Sequence, residues 1–204
     1  MSPWKSLRRT VLLVGLAWAF AGTNTLIAYA SLGTTDAIPI FTGVLFGCAF
    51  AVAMRIVHEA WWLAALSLAP ALMVLVGSVD YAPYSALEVR GVHEQVTITA
   101  DSAAGTTSNR HEFTLVGKDG ELQEKLLYRG QSPSYAVGDR IEVVYDPEGA
   151  APLKDASKVD SAGRLTMLVW GASGWTAMAL LAGWRGHANR RSNREPLLER
   201  IGLM

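Results

Sequence analysis

Four stretches of this chain contain no Asp, Glu, Lys or Arg: residues 10–30, 38–54, 60–77 and 165–184. Each approaches the roughly 20 residues of helix that a hydrocarbon core requires. In lipid every backbone N–H and C=O must bond within its own segment, so each run is expected to be a transmembrane helix. Half of the 204 residues are apolar, and the mean hydropathy is +0.22. A soluble domain has a similar apolar share but spreads it at the period of a helix or a strand. Here it is gathered into blocks, and most charges are crowded between the third and fourth runs.

The second and third runs are separated only by Arg55, Ile56, Val57, His58 and Glu59. One unbroken helix over 38–77 would be about 60 Å long, twice the thickness of the core, so a helical hairpin with a tight turn is expected. Pro70 falls inside the third run, where neighbouring helices can re-satisfy the carbonyl it frees. The first run has two readings. Lys5, Arg8 and Arg9 precede it, and Ala28-Tyr29-Ala30 ends it with an A-x-A pattern, as in a cleaved signal peptide. Its length favours a retained helix, because signal h-regions run to about 15 residues.

Orientation follows from the basic residues that flank the runs. Lys5, Arg8 and Arg9 stand at the N-terminus and Arg55 in the turn; Arg185, Arg190, Arg191, Arg194 and Arg200 stand in the tail, against Glu195 and Glu199. Four spans put these three segments on one side, which the positive-inside rule assigns to the cytoplasm. Residues 79–164 then lie outside, with fourteen Asp and Glu against nine Lys and Arg. Trp4, Trp61, Trp62, Tyr81, Tyr84 and Trp184 stand near span ends, where amphipathic rings favour the interface. The expected product is a multi-pass cell-membrane protein with both termini cytoplasmic. Its parts are transmembrane helices in 1–78, an extracytoplasmic β domain in 79–163, a fourth helix in 164–184 and a basic tail in 185–204.

Gly43, Gly47 and Ala51 repeat every four residues in the second run, as Gly15 and Ala19 do in the first. Small residues at this spacing let helices approach closely. Packing within the chain is the favoured reading, and an oligomer formed through Gly43, Gly47 and Ala51 is the alternative. Cys48 is the single cysteine, so no disulfide can form within the chain.

Period two takes over in the segment between the third and fourth runs. Val92, Glu94, Val96 and Ile98 alternate with His93, Gln95, Thr97 and Thr99. A loop is expected over 101–109, strands over 110–116 and 121–128, an Asp119-Gly120 hairpin turn between them, and a last strand over 139–145 stopped by Asp146-Pro147. The fold class is therefore α+β: four transmembrane helices carrying an inserted, small antiparallel domain, β-barrel-like or a curled sheet.

The run YAVGDRIEVVYDP, residues 135–147, resembles the closing motif of a bacterial membrane-protein family known as domain of unknown function 3592. Members open the domain with Gly-x-Val, where this chain has Gly91-Val92-His93, and carry a mid-domain Asp-Gly turn, here Asp119-Gly120. The likeness covers about 70 residues and the flanking spans. It implies a β domain between transmembrane helices and brings no established activity. In physical terms Gly138-Asp139 turns the chain into a strand, and Tyr145-Asp146-Pro147 ends it.

Residue patterns that suggest chemistry do not complete a site. His93-Glu94 and His111-Glu112 each offer one ligand per sheet face, since adjacent strand residues point to opposite sides. Both are read as solvated strand pairs. Gly171-Ala-Ser173-Gly174 matches the surroundings of an intramembrane-protease nucleophile, but His58, His93, His111 and His187 all lie outside the apolar runs, so the base is missing. The spans hold no ionisable residue to mark an ion pathway; Asn24, Ser67 and Ser173 are their main polar groups. No phosphate-cradling glycine loop or cofactor motif is present, and zero net charge gives no pull toward nucleic acid. The expectation is a non-enzymatic protein without catalytic, cofactor or metal residues. Its partners are the lipid bilayer and another membrane or envelope protein, bound or scaffolded by the β domain. The alternatives are a membrane-associated enzyme or enzyme accessory, for which His93, His111, Asp139 and Asp146 would have to converge, and a small transporter.

Overall fold

The computed structural model describes residues 3–58, 61–130 and 134–191. Of the sequence features above, Glu59, Arg194, Glu195, Glu199 and Arg200 lie outside these residues, as do the side chains of Trp4, Lys5, His58, His187, Arg190 and Arg191. The chain divides into two compact units, residues 1–31, 35–82 and 162–204 forming one and residues 32–34 and 83–161 the other. The helices are α1 (Pro3–Ala30), α2 (Ala37–His58), α3 (Trp61–Leu66), α4 (Leu68–Arg90) and α5 (Ser161–Arg191).

Four helical segments are long and apolar enough to cross a membrane: Leu7–Ala30, Ala37–Val57, Trp61–Arg90 and Ala156–Arg185. The third is α3 and α4 in succession, parted at Ser67 three residues before Pro70. Proline lacks the N–H that would bond the carbonyl four residues back, so the break falls where the helical ladder loses a donor. Helix α5 supplies a donor beside it: Trp175 Nε1 donates to Ser67 O at 3.0 Å. Helix α4 continues beyond the apolar run to Arg90, so residues 79–90 are helical and the sheet begins at Val92.

In the first unit the helices run up, down, up and down. Phe20 stacks on Phe46 with centroids 4.6 Å apart, and Thr42 Oγ1 donates to Asn24 Oδ1 at 2.7 Å, which makes α1 and α2 antiparallel neighbours. Asn24 Nδ2 in turn donates to Ser78 Oγ at 2.6 Å, tying α1 to α4. A β-carbon at Gly43 would lie 2.4 Å from Leu75 Cδ1, and one at Gly47 would lie 3.0 Å from Ala71 Cβ. These two glycines are thus used for α2–α4 packing within the chain. Gly77 meets Leu168, while Gly171 and Gly174 meet α4 at Val74 and Pro70. Ser173 faces outward. The interior is rich in small residues, including Ala17, Ala21, Ala71, Ala172, Ala179 and Ala182, around Phe50, Met54 and Trp175. Large apolar residues such as Phe41, Leu45, Leu72, Trp170 and Leu180 point outward.

The second unit is built on an antiparallel sheet of β1 (Val92–Asp101), β2 (Arg110–Gly117), β3 (Gly120–Glu121), β4 (Leu126–Arg129), β5 (Arg140–Tyr145) and β6 (Lys154–Asp155). The order is β3-β2-β1-β5-β6, with β4 also on β2. The sheet is open, so the barrel-like alternative does not hold: β4 and β6 share no backbone ladder. Strand β6, with two residues, is too short to complete a closing edge. Nor is 139–145 the last strand, since β6 follows it.

The strand expected over 121–128 is divided. Val116 pairs with Glu121 and Phe113 with Leu126, so three steps along β2 are matched by five on the partner. Leu122 N still donates to Leu115 O at 2.9 Å, and the chain leaves the ladder over 123–125 to take up the two surplus residues. One face of the sheet buries Val96, Ile98, Phe113, Leu115, Leu126, Val143 and Leu153. On the other face Val144 packs with Ala86, Leu87 and Ala151. There Gly91 is required by close approach: a β-carbon would lie 2.2 Å from Leu87 O and 2.4 Å from Val144 Cγ1.

Candidate functional site

The side chains named as candidates from sequence go to different places. His93 pairs across the sheet with Val144, and His111 across from Tyr128. His93 therefore shares a face with Val144, whereas His111 shares the opposite face with Phe113 and Leu115, two and four residues on. The two histidines cannot hold one ion between them. His93 is solvated, and its Nδ1 lies 2.8 Å from Glu142 Oε1. His111 is not the solvated residue read from sequence: it is 6% exposed and packs against the rings of Phe113 and Tyr128. The signal was available in its parity with Phe113 and Leu115. Its Nδ1 lies 2.8 Å from Asp101 Oδ2, closing the base of the 101–109 loop.

Asp139 and Asp146 have further partners of their own. Asp139 Oδ2 accepts from Ala136 N at 2.7 Å, shaping the turn at Gly138, whose φ is +99°. Asp146 is buried at the end of β5. Its carboxylate accepts from Arg90 Nη2 at 2.7 Å and from the amides of Ala151 at 3.0 Å and Glu148 at 3.1 Å. Burial pushes this carboxyl up; the Glu148 amide, Arg90 and the Ala151 amide outweigh that and hold it below its ordinary value. The closing motif is thus used to hold the fold, with Asp146 as its anchor. His93, His111, Asp139 and Asp146 form no common site.

A further cluster of polar residues joins Tyr135, Asp155 and Lys158 in this unit. Tyr135 Oη donates to Asp155 Oδ2 at 2.6 Å, and Lys158 Nζ donates to Tyr135 Oη at 2.5 Å while lying 4.5 Å from that ring's centroid. Burial and the adjacent Asp155 carboxylate raise the Tyr135 hydroxyl well above its usual value. The cluster clasps the β4 side of the open sheet to the β6 side. Beside it, His93, Glu142, Asp155 and Ser157 line a shallow groove. Ser157 Oγ donates to Asp155 Oδ1 at 2.6 Å, which gives this hydroxyl a capping partner in place of a base.

A second concavity is a cleft of about 360 Å³ lined by Glu94, Asp119, Glu121, Glu124, Tyr145 and Leu153, among others. Its walls follow from the local folding described above. The β2–β3 turn brings Asp119 and Glu121 to one rim, and the surplus residues after Glu121 carry Glu124 out of the ladder. Asp146, the fifth carboxylate of the lining, is the one already paired with Arg90. Of the other four, two are fixed by backbone amides: Glu94 Oε1 accepts from Lys118 N and Glu124 Oε2 from Leu153 N, each at 3.0 Å. Among the described residues no Lys or Arg forms an ion pair with Glu94, Asp119, Glu121 or Glu124. Among these residues, too, no three His, Cys, Asp or Glu side chains converge as metal ligands do. Sequence reading registered the acidity of the segment but not this cleft, because the residues that form it are brought together by an irregular strand.

Comparison with protein-family models, curated proteins and solved structures finds no match to this chain.

Proposed function

We propose that this chain is a multi-pass membrane protein whose β unit receives a basic segment of another envelope protein in its acidic cleft. The observation that carries the reading is that, of the five carboxylates lining one cleft, four (Glu94, Asp119, Glu121 and Glu124) have no cationic partner among the described residues, Asp146 alone being paired, with Arg90. Uncompensated charge of one sign in a concave surface draws the opposite charge and speeds its arrival. Supporting the membrane placement are the four apolar helices and their large, outward apolar side chains, which suit lipid as solvent. The basic residues at both ends of the chain and Arg55, which falls in the last turn of α2 and not in the turn after it, favour a cytoplasmic side for those segments and an outside position for the β unit. The likeness of residues 135–147 to the closing motif of the domain of unknown function 3592 family is in keeping with this arrangement.

The reading is tested with a photo-crosslinking residue at Leu122, inside the cleft, in intact membranes. A repeatable partner with a Lys- or Arg-rich segment is expected. Its yield should fall about tenfold in the double variant Asp119→Asn, Glu121→Gln and again at 0.5 M salt, since such contacts are screened over a Debye length of roughly 4 Å there. Repeated recovery of no partner, or capture that ignores both charge and salt, would sink the proposal.

A further inference from the structure

Two arginines stand at one end of the helical unit, where α1 begins and α5 ends. The register between these helices is fixed at two points. Trp18 Nε1 donates to Thr176 Oγ1 at 3.1 Å, and a β-carbon at Gly183 would lie 2.3 Å from Thr10 Oγ1. One step further along this antiparallel pair, Arg9 and Arg185 arrive at the same level. Arg9 does not extend into solvent as an ordinary flanking charge; it is 8% exposed. The Arg185 guanidinium carbon lies 5.7 Å from the ring centroid of Trp62, at the start of α3, and its Nη1 is buried without a hydrogen-bond acceptor. The α1–α2 pairing brings Arg55 to the same end, exposed. Asp36 and Asp80, the acids of this unit among the described residues, stand at the other end, where Asp80 pairs with Arg164 at 3.0 Å.

We infer that this end of the bundle binds a phosphate-bearing anion, the headgroup of an anionic phospholipid, between Arg9 and Arg185. A guanidinium presents a planar fork of donors that fits phosphate oxygens bidentately. A buried N–H without an acceptor carries a desolvation penalty, which a phosphate oxygen between the two guanidinium groups removes. The lipid source follows from the surroundings. Val11 and Leu12 on α1 and Leu180 and Leu181 on α5 are exposed apolar side chains just inside this level, where acyl chains would lie. Trp62 offers an amphipathic ring at the depth of the headgroups. The inference rests on the membrane placement proposed above.

The test uses the full chain. Carbonate extraction of membranes comes first: release of the protein would overturn the membrane placement itself, whatever the lipid result. With retained protein purified in a neutral detergent, thermal unfolding is followed with phosphatidylglycerol, phosphatidylcholine or inorganic phosphate added. Phosphatidylglycerol should raise Tm by about 3 °C or more, with little change from the other two. Arg9→Gln and Arg185→Gln should each reduce the shift and the pair abolish it, while Arg55→Gln, an equal charge change on an exposed neighbour, should leave it intact. If the Gln variants do not fold, Arg9→Lys and Arg185→Lys, which keep the charge and lose the fork, should reduce the shift. Equal stabilisation by phosphatidylcholine, or a shift that survives the double variant, overturns the inference. A phosphate response equal to that of phosphatidylglycerol overturns the lipid assignment.

Discussion

At the residue scale, Asp146 is the group whose loss should be felt most. Its side chain is fully buried while its partner Arg90 is 37% exposed. Removing one member of a buried pair leaves the other uncompensated, which costs about 3–5 kcal/mol in a dry interior. Solvent access to Arg90 lowers this, so Asp146→Asn should destabilise the β unit by about 2 kcal/mol in chemical denaturation. The pH dependence has a definite sign. The native carboxyl titrates below its unfolded value, so its contribution is complete above about pH 4 and is lost as pH falls through the lower, native value. Asp146→Asn should flatten that acid limb, and an unchanged limb would mean that the pairing contributes little. Tyr145-Asp146-Pro147 was legible in the sequence as a strand stop. That Asp146 reaches back to Arg90 was not, because the 56 residues between them carry no local sign of the contact.

At the scale of elements, the helices were legible because a charge-free run has few alternative conformations. Their ends were less so. Hydropathy falls at Gly77, but α4 runs on to Arg90 because residues 86 and 87 still present an apolar pair to Val144. Strand β1 was legible from period two alone. The division of the third strand was not, since residues 121–128 give no hint of surplus length until they are set against β2. The interruption at Ser67 offers a sharper test. Trp175 is 1% exposed, and its indole N–H serves a carbonyl beside the Pro70 break. Trp175→Phe keeps a ring against Phe50 and removes the donor together with part of the buried ring volume. The lost hydrogen bond and the cavity together should cost about 2–4 kcal/mol, read as a lower Tm of the full chain in detergent. Retention of the wild-type Tm would show that the helix manages the break unaided.

For the whole molecule, the alternation of the four apolar segments was expected from their number alone, and antiparallel contacts among the helices now accompany it. They bring the start of α1 and the end of α5 to one end of the bundle. On the proposed placement, reporter fusions after Arg191 should respond as cytoplasmic, while an insertion at Ser102 should respond as extracytoplasmic. The same response from both would overturn it. The acidic cleft and the paired arginines were beyond reach of sequence reading, since each depends on residues placed side by side by a register and not by spacing along the chain.

The helical unit packs many small residues around a few large ones inside and turns many large apolar residues outward. In a water-soluble bundle the centre is where bulk is prized and the periphery where almost any polar residue will do. On the proposed membrane placement the tolerances are exchanged. A scan of all single substitutions should find Ala17, Ala172, Ala179 and Gly171 intolerant of any added methyl group, although none of them carries a reactive group. Leu45, Leu72, Trp170 and Leu180 should accept one another's identities freely and reject only charge. A map of permitted changes would thus read as the photographic negative of a soluble protein, and could be recorded without a purified sample.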